Sequence, residues 1–227
     1  MARSAIFEVS WMLLFAVLSS CGPNSTSSNG PLAVKPGQGS YYIFREETIE
    51  NATGLVLHSD TSIETFQQTG QTLLGKTNVS VIATTTPGST SPYLAYINYE
   101  PNGDIDFYNP GDGSPLSLGP TGWFRCGFAS QQPDTVSFDS LADGGVIHKG
   151  WSITGEGGGF ITILGRSFST QKVISSIIQS FAGDTGAISI LKSEYAPLLG
   201  YVVKTEQPLS RYGNEHYVSE VVDYHLQ

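Results

Sequence analysis

The chain has 227 residues and carries 20 acidic side chains against 11 basic ones, for a net charge of −9. The basic side chains form no cluster, which argues against a nucleic-acid partner and against an electrostatically bound membrane surface, since both depend on concentrated positive charge. Cys21 and Cys126 are the only cysteines, and Cys21 directly follows a predicted leader of residues 1–20, so the folded part has Cys126 alone and is expected to contain no internal disulfide bond.

Residues 1–20 have the layout of a secretory signal peptide. Arg3 precedes an apolar run from Trp11 to Leu18, and two serines then lead to Cys21. The apolar run is shorter than the roughly 20 residues that a membrane-spanning helix needs. We therefore expect residues 1–20 to be removed rather than retained.

The segment Leu18-Ser19-Ser20-Cys21 resembles the lipobox of bacterial lipoproteins, in which a small residue precedes a lipid-modified cysteine. This resemblance implies that Cys21 becomes the first residue of the mature chain and carries a diacylglycerol, with a further acyl chain on the freed amine. Gly22 replaces the aspartate that retains lipoproteins in the inner membrane of enteric bacteria, so the resemblance favours the outer membrane, facing the periplasm. The alternative is an ordinary signal peptide with a coincidental cysteine.

Residues 22–38 are rich in Ser, Asn, Gly and Pro and poor in large apolar side chains. This composition is typical of a flexible tether. The predicted organisation is a signal peptide over residues 1–20, a lipidated cysteine and tether over 21–38, and a single β-rich domain over 39–227.

From Gly39 onward, short alternating runs of β-branched and aromatic residues are separated by Gly, Pro, Asn and Asp, as in consecutive strands. The predicted strands cover residues 40–50, 55–67, 79–85, 93–100, 104–110, 122–130, 134–140, 145–154, 160–168, 199–207 and 215–227. Pro101-Asn102-Gly103 predicts a hairpin turn. With roughly a dozen strands and no long helix, the expected fold is all-β, an antiparallel curved sheet arranged as a half-barrel or a sandwich.

Two segments are ambiguous. The apolar residues of 171–181 fit a helical stripe, but four of them are β-branched, and this favours a strand paired as a hairpin with residues 188–193. Gly155 to Gly159 resemble a phosphate-binding loop, but Phe160 and a strand-like run follow where a helix is needed. A hairpin turn is the favoured interpretation of these glycines.

Three C-terminal segments, Phe168–Val173, Tyr195–Lys204 and Val218–Leu226, resemble a pattern found in uncharacterised β-rich bacterial envelope lipoproteins. In those proteins the equivalent strands close one side of a large antiparallel sheet. The chain is more loosely similar to the curved-sheet lipid carriers LolA and LolB, which implies an apolar groove.

A short acidic stretch offers oxygen ligands suited to calcium. Asp104 and Asp106 have the spacing to share one strand face, and Asp112 follows. An EF-hand would need a closing glutamate, which is missing, so weak calcium binding competes with the ordinary use of Asp in exposed turns.

His216, Glu220 and His225 form a second metal candidate, but only His216 and Glu220 have the even spacing that shares a strand face. Two ligands do not complete a zinc site, so solvent-facing positions are expected. Cys126 follows Arg125, which would favour a thiolate, and catalysis would need a base such as His58 or His148. A small buried side chain is the expected role of Cys126.

Clustered aromatic residues suggest either a binding platform or the core of the sheet. They are Tyr93, Tyr96, Tyr99, Phe107, Tyr108, Trp123, Phe124 and Trp151. Use in the core is expected, with some rings on an exposed face.

These observations predict a non-enzymatic, lipid-anchored envelope domain without a cofactor, held at the membrane through Cys21. Its partner would be another envelope protein, bound or scaffolded by the β-domain. One alternative is a carrier of an apolar ligand, which requires an open groove lined by Ile, Leu, Val and Phe. A less favoured one is an envelope hydrolase, which requires Cys126 or a serine beside a histidine and an acid.

Overall fold

The computed structural model describes residues 34–108, 123–129, 134–142, 145–181, 188–209 and 214–227. Every regular element in these ranges is a β-strand. The strands are β1 Tyr41–Glu50, β2 Val56–Leu73, β3 Lys76–Thr85, β4 Tyr93–Tyr99, β5 Ile105–Tyr108, β6 Phe124–Cys126, β7 Asp134–Ala142, β8 Gly145–Ile163, β9 Arg166–Phe181, β10 Ile188–Ala196, β11 Tyr201–Pro208 and β12 Glu215–His225. Within the same ranges there is no helix of the length and apolar character needed to cross a bilayer.

The twelve strands form one antiparallel sheet in the order β6-β5-β4-β3-β2-β1-β12-β11-β10-β9-β8-β7. Each strand lies beside its neighbours in sequence, except that β6 and β7 form the two opposite edges. The first and last strands, β1 and β12, pair at the centre. Antiparallel neighbours reverse direction at every step. The start of β1 and the β2–β3, β4–β5, β8–β9 and β10–β11 turns consequently lie at one end of the sheet, here called the upper end.

The sheet is curved, because side chains from distant strands meet on its inner face. Tyr42 of β1 stacks on Tyr201 of β11 with ring centroids 4.8 Å apart, and Phe128, which follows β6, stacks on Tyr195 of β10 at 5.1 Å. These rings belong to one continuous buried cluster. The predicted all-β, antiparallel curved sheet of about a dozen strands is confirmed.

The structure resolves both ambiguous segments. Residues 171–181 lie in β9, which pairs with β10 as predicted; the residues that join the two strands lie outside the described ranges. The hairpin turn predicted at Gly155–Gly159 is wrong, because these glycines continue β8 and pair with β9 through a bulge. Of Gly157 to Gly159, only Gly159 lies close against β9: a Cβ there would lie 2.5 Å from Cε of Lys172 and 3.0 Å from Oγ1 of Thr170, whereas a Cβ on Gly157 would meet nothing within 4 Å.

The turn after β8 was also missed. Residues 160–168, predicted as one strand, fold back at Leu164 and Gly165, so they contribute to both β8 and β9. The Pro101-Asn102-Gly103 hairpin is confirmed: β4 pairs with β5, and Gly103 has a φ of 89°. The three C-terminal segments of the lipoprotein-like pattern fall on β9, on β10 and β11, and on β12, which follow one another in the sheet.

Candidate functional site

The N-terminal segment, residues 34–40, is hydrogen bonded to the upper end of the sheet. The amide of Val34 donates to the carbonyl of Pro197 at 2.8 Å, and the amide of Gly37 donates to the carbonyl of Gln227 at 3.1 Å. Residues 34–38, the last part of the predicted tether, are thus bonded to the β-domain. The signal peptide, Cys21 and the tether up to residue 33 lie outside the described ranges.

Gly200, in the β10–β11 turn, makes this close approach possible. Its φ is 67°, and a Cβ at this position would lie 1.9 Å from the carbonyl oxygen of Val34. Two tyrosines hold the same turn from inside the sheet, Tyr42 fully buried and Tyr99 partly buried. The hydroxyl of Tyr42 donates to the carbonyl of Leu199 at 2.5 Å, and that of Tyr99 donates to the carbonyl of Gly200 at 2.8 Å. Burial raises the pKa of both hydroxyls well above the usual value, so they remain donors.

An ion-pair cluster ties the β2–β3 hairpin to β4 and β5. Nζ of Lys76 lies 2.5 Å from Oε1 of Glu100 and 2.6 Å from Oδ2 of Asp106, and Asn98 donates to the same Glu100 oxygen at 3.0 Å. Burial by itself lowers the pKa of Lys76, but hydrogen bonds and charges from Asp106 and Glu100 outweigh this effect and raise it. Lys76 is therefore a fixed cation beside the β2–β3 turn.

The acidic stretch predicted to bind calcium is largely engaged within the protein. Asp106 is 2% exposed and faces Lys76, while Asp104 accepts a hydrogen bond from the side-chain amide of Asn102 at 2.8 Å. Asp112 lies outside the described ranges. Among the residues that the structure describes, no three His, Cys, Asp or Glu side chains are grouped closely enough to hold a metal ion.

A second polar cluster lies on the inner face and was not predicted. Glu64 of β2 is 4% exposed, and it accepts hydrogen bonds from the hydroxyls of Tyr201 and Thr84. Burial raises the pKa of Glu64 to about 7; the Tyr201 hydrogen bond opposes this shift, and the nearby charge of Glu46 adds to it. Glu46 in turn accepts a hydrogen bond from Ser62 at 2.5 Å. This arrangement makes Glu64 a buried acid whose charge changes near neutral pH.

The sequence carries one signal for this cluster. Glu64 lies two residues before Phe66, so strand alternation puts the two side chains on one face. Phe66 is fully buried, so its face of β2 is the inner one. Ile63, the neighbour of Glu64 on the opposite face, is apolar as well but is 41% exposed, so an aliphatic residue in this strand does not identify the inner face.

The predicted histidine sites are dispersed in the structure. Nδ1 of His216 lies 2.6 Å from Oδ1 of Asn51, whereas the ring of His225 stacks on Tyr41 at 5.6 Å. Glu220 lies 3.9 Å from Lys204. The histidines and Glu220 thus contact different partners.

Cys126 and its candidate bases lie in different parts of the sheet order. Cys126 pairs with Ile105 at the edge strand β6, and His148 lies in β8, next to the opposite edge. His58 pairs with Thr48 in the central part.

The predicted aromatic cluster divides between the two faces. Phe107 is 3% exposed and belongs to the inner core. On the other face Tyr108 lies between Tyr96 and Trp123, with ring centroids 5.7 Å and 5.6 Å apart, and Trp123 is 7% exposed. Among the rings whose side chains the structure describes, Phe107 thus lies in the core, and Tyr96, Tyr108 and Trp123 cover the other face of the sheet.

No protein-family model matches the sequence, and no curated protein matches it. Two solved structures are similar. One is a protein described as exported and as having a YmcC-like fold, from Bacteroides fragilis, with 10% identity and a TM-score of 0.46, covering 86% of this chain and 99% of that chain. The other is described as a lipoprotein, from Parabacteroides distasonis, with 12% identity and a TM-score of 0.46, covering 86% of this chain and 100% of that chain.

Proposed function

We propose that the protein is a lipid-anchored domain of a bacterial cell envelope, held through Cys21 at the periplasmic face of the outer membrane, which binds or scaffolds another envelope component. The observation that carries this proposal is the combination of the lipobox-like segment with the bonded N-terminal segment. Residues 34–40 fix the point at which the chain leaves the β-domain toward Cys21.

The packing of the inner face favours binding by the outer surface over carriage of an apolar ligand. Tyr42, Phe66 and Tyr195 are at most 1% exposed, and their rings lie where a carrier would hold its ligand. The rings of Tyr42, Phe66 and Tyr201 also pack against one another, with distances of 4.8 to 6.1 Å between ring centroids. Ligand entry would require these contacts to open.

The test is intact mass and membrane fractionation of the full chain expressed in a bacterium that processes lipoproteins. Wild type is compared with Cys21→Ala, and Cys126→Ala serves as the matched control because it removes the other cysteine. We expect acyl mass and membrane association in wild type and Cys126→Ala, with acyl mass lost in Cys21→Ala. A wild-type protein that carries no acyl mass would refute the anchor.

A density-gradient separation of inner and outer membranes then tests the location. We expect the acylated protein in the outer-membrane fraction. Recovery in the inner membrane would contradict the placement drawn from Gly22 while leaving the anchor intact.

A further inference from the structure

Two hairpins at the upper end carry the same unusual turn. Leu74 and Gly75 of the β2–β3 turn have φ values of 46° and 79°, and Leu164 and Gly165 of the β8–β9 turn have φ values of 50° and 75°. Two-residue turns with positive φ at both positions strongly prefer Asn-Gly or Asp-Gly. Leucine is strained there and adds nothing to the turn.

These leucines do not serve the core either. Leu74 is 53% exposed and Leu164 is 66% exposed. Leu198, in the β10–β11 turn at the same end, is 53% exposed. Three turns at one end of the sheet thus each present a leucine to the surroundings, and at two of them the backbone is strained to do so.

The N-terminal segment leaves the domain among these turns. Nζ of Lys35 donates to the carbonyl of Asn78, near the start of β3, at 2.8 Å. Val34 is bonded to Pro197, which precedes Leu198. The chain that leads back to Cys21 therefore starts between the β2–β3 and β10–β11 turns.

The length of this chain relates the upper end to the bilayer. Twelve residues separate Cys21 from Val34, which allows about 45 Å when fully extended and about 20 Å as a flexible coil. The opposite end, with the exposed Leu55, lies the length of β1 farther away, about 30 Å. As a coil, this chain is shorter than the sheet, so the upper end is on average the end of the domain nearer the membrane that would hold Cys21.

We propose that the upper end of the sheet docks on this bilayer, with Leu74, Leu164 and Leu198 inserted among the lipid headgroups and the first methylenes. The inference rests on the proposed lipid anchor and extends it by fixing the orientation of the domain. The attraction is apolar rather than electrostatic, since the net charge is −9 and Lys76, beside the β2–β3 turn, is already paired with two acids.

The experiment places an environment-sensitive dye at single cysteines in the acylated full-length protein, reconstituted in phosphatidylcholine vesicles. All variants carry Cys126→Ala, and the acylated Cys21 does not react with the dye. Leu74→Cys and Leu164→Cys report on the two strained turns, and Leu198→Cys gives an independent reading at the same end. Leu55→Cys is the matched control, since it is also an exposed leucine beside a turn, 59% exposed, at the opposite end.

We expect dye emission at positions 74, 164 and 198 to be about twofold or more above that at position 55, because a dye among lipids leaves water. Acylated protein whose dyes at 74, 164 and 198 all report water would overturn the docking and leave the anchor standing. Equal apolar signals at all four positions would also overturn it, as adsorption without orientation. If intact mass shows no acyl group, the anchor fails and the docking argued from it fails as well.

Circular dichroism and thermal unfolding of each labelled variant establish that it is folded. If Leu74→Cys and Leu164→Cys do not fold, Leu198→Cys still decides the question. Leu198 does not have the positive φ of the other two leucines, so its replacement does not disturb a strained turn.

Discussion

Replacing Glu64 by glutamine should stabilise the protein at neutral and alkaline pH and change little in acid. The glutamine would keep the shape of the side chain, and its carbonyl oxygen would accept the same hydrogen bonds from Tyr201 and Thr84. Its amide group would face Glu46 as a donor. The substitution therefore removes the buried charge while retaining the hydrogen bonds of the cluster.

The size of the expected gain in stability follows from the pKa of Glu64, which burial raises from 4.5 to about 7. A carboxyl group with a raised pKa in the folded state supports folding fully below pH 4.5, and that support is lost as the pH rises through 7. A shift of this size corresponds to a loss of about 3 kcal/mol in the free energy of unfolding. Glu64→Gln should recover up to that amount above pH 7.

The assay is urea unfolding of wild type and Glu64→Gln at pH 4 and at pH 8. Glu206→Gln is the control of opposite sign, because a hydrogen bond from Lys204 lowers the pKa of Glu206. This carboxylate stabilises the fold fully above its unfolded pKa, and the stabilisation is lost as the pH falls through the lowered pKa of the folded state. Glu206→Gln should therefore lose stability at pH 8 and not at low pH. If the free energy of unfolding differed between Glu64→Gln and wild type by the same amount at pH 4 and at pH 8, the proposed cost of the buried Glu64 charge would be refuted.

Three further substitutions test the upper end by urea unfolding. Gly200→Ala should lower the free energy of unfolding by about 2 kcal/mol or more, because the φ of Gly200 is 67° and the new Cβ would lie 1.9 Å from a backbone carbonyl oxygen. Its control Gly165→Ala, which has open space around it, should lower this free energy by only about 1 kcal/mol. Equal losses in the two variants would contradict the close approach at Gly200. Lys76→Met should cost about 3 kcal/mol, because it removes a cation that lies 2.6 Å from the buried carboxylate of Asp106. A second change, Asp106→Asn, should recover part of this loss, and no recovery would argue against the ion pair. Leu164→Asn should raise the free energy of unfolding by about 0.5 kcal/mol, because asparagine adopts the positive φ of this position more readily than leucine. The same substitution should weaken the contact with the membrane. A loss of stability would contradict the strain at Leu164.

Much of the fold was predictable because it consists of sequential hairpins. Alternating runs identify most strands, and neighbours in sequence become neighbours in the sheet. The prediction failed where local composition misled it. Gly155–Gly159 look like a turn but pair with β9, and Leu164-Gly165 look like strand but form the turn. The strand pairing of the whole hairpin outweighed the local preferences of its residues.

The two polar clusters, around Glu64 and around Lys76, could not be predicted from the sequence, because they depend on the register between strands. Glu64 pairs with Tyr42 of β1 on one side and with Thr84 of β3 on the other, which puts it on the aromatic inner face. Lys76 meets Asp106 only because the β2–β3 hairpin lies alongside β4 and β5. Neither relation follows from spacing along the chain.

The bonded N-terminal segment contributes both to stability and to orientation, and a folded Gly200→Ala variant tests its contribution to orientation. The added methyl group would lie 1.9 Å from the carbonyl oxygen of Val34, so it should displace Val34 from the β10–β11 turn. In a variant that remains folded and acylated, the chain toward Cys21 would gain freedom, and the domain would no longer be held with its upper end toward the bilayer. We expect the dye at position 164 to shift toward a water-like signal in this background. A dye that stays among lipids would show that the turn leucines alone hold the domain on the membrane, without help from residues 34–40.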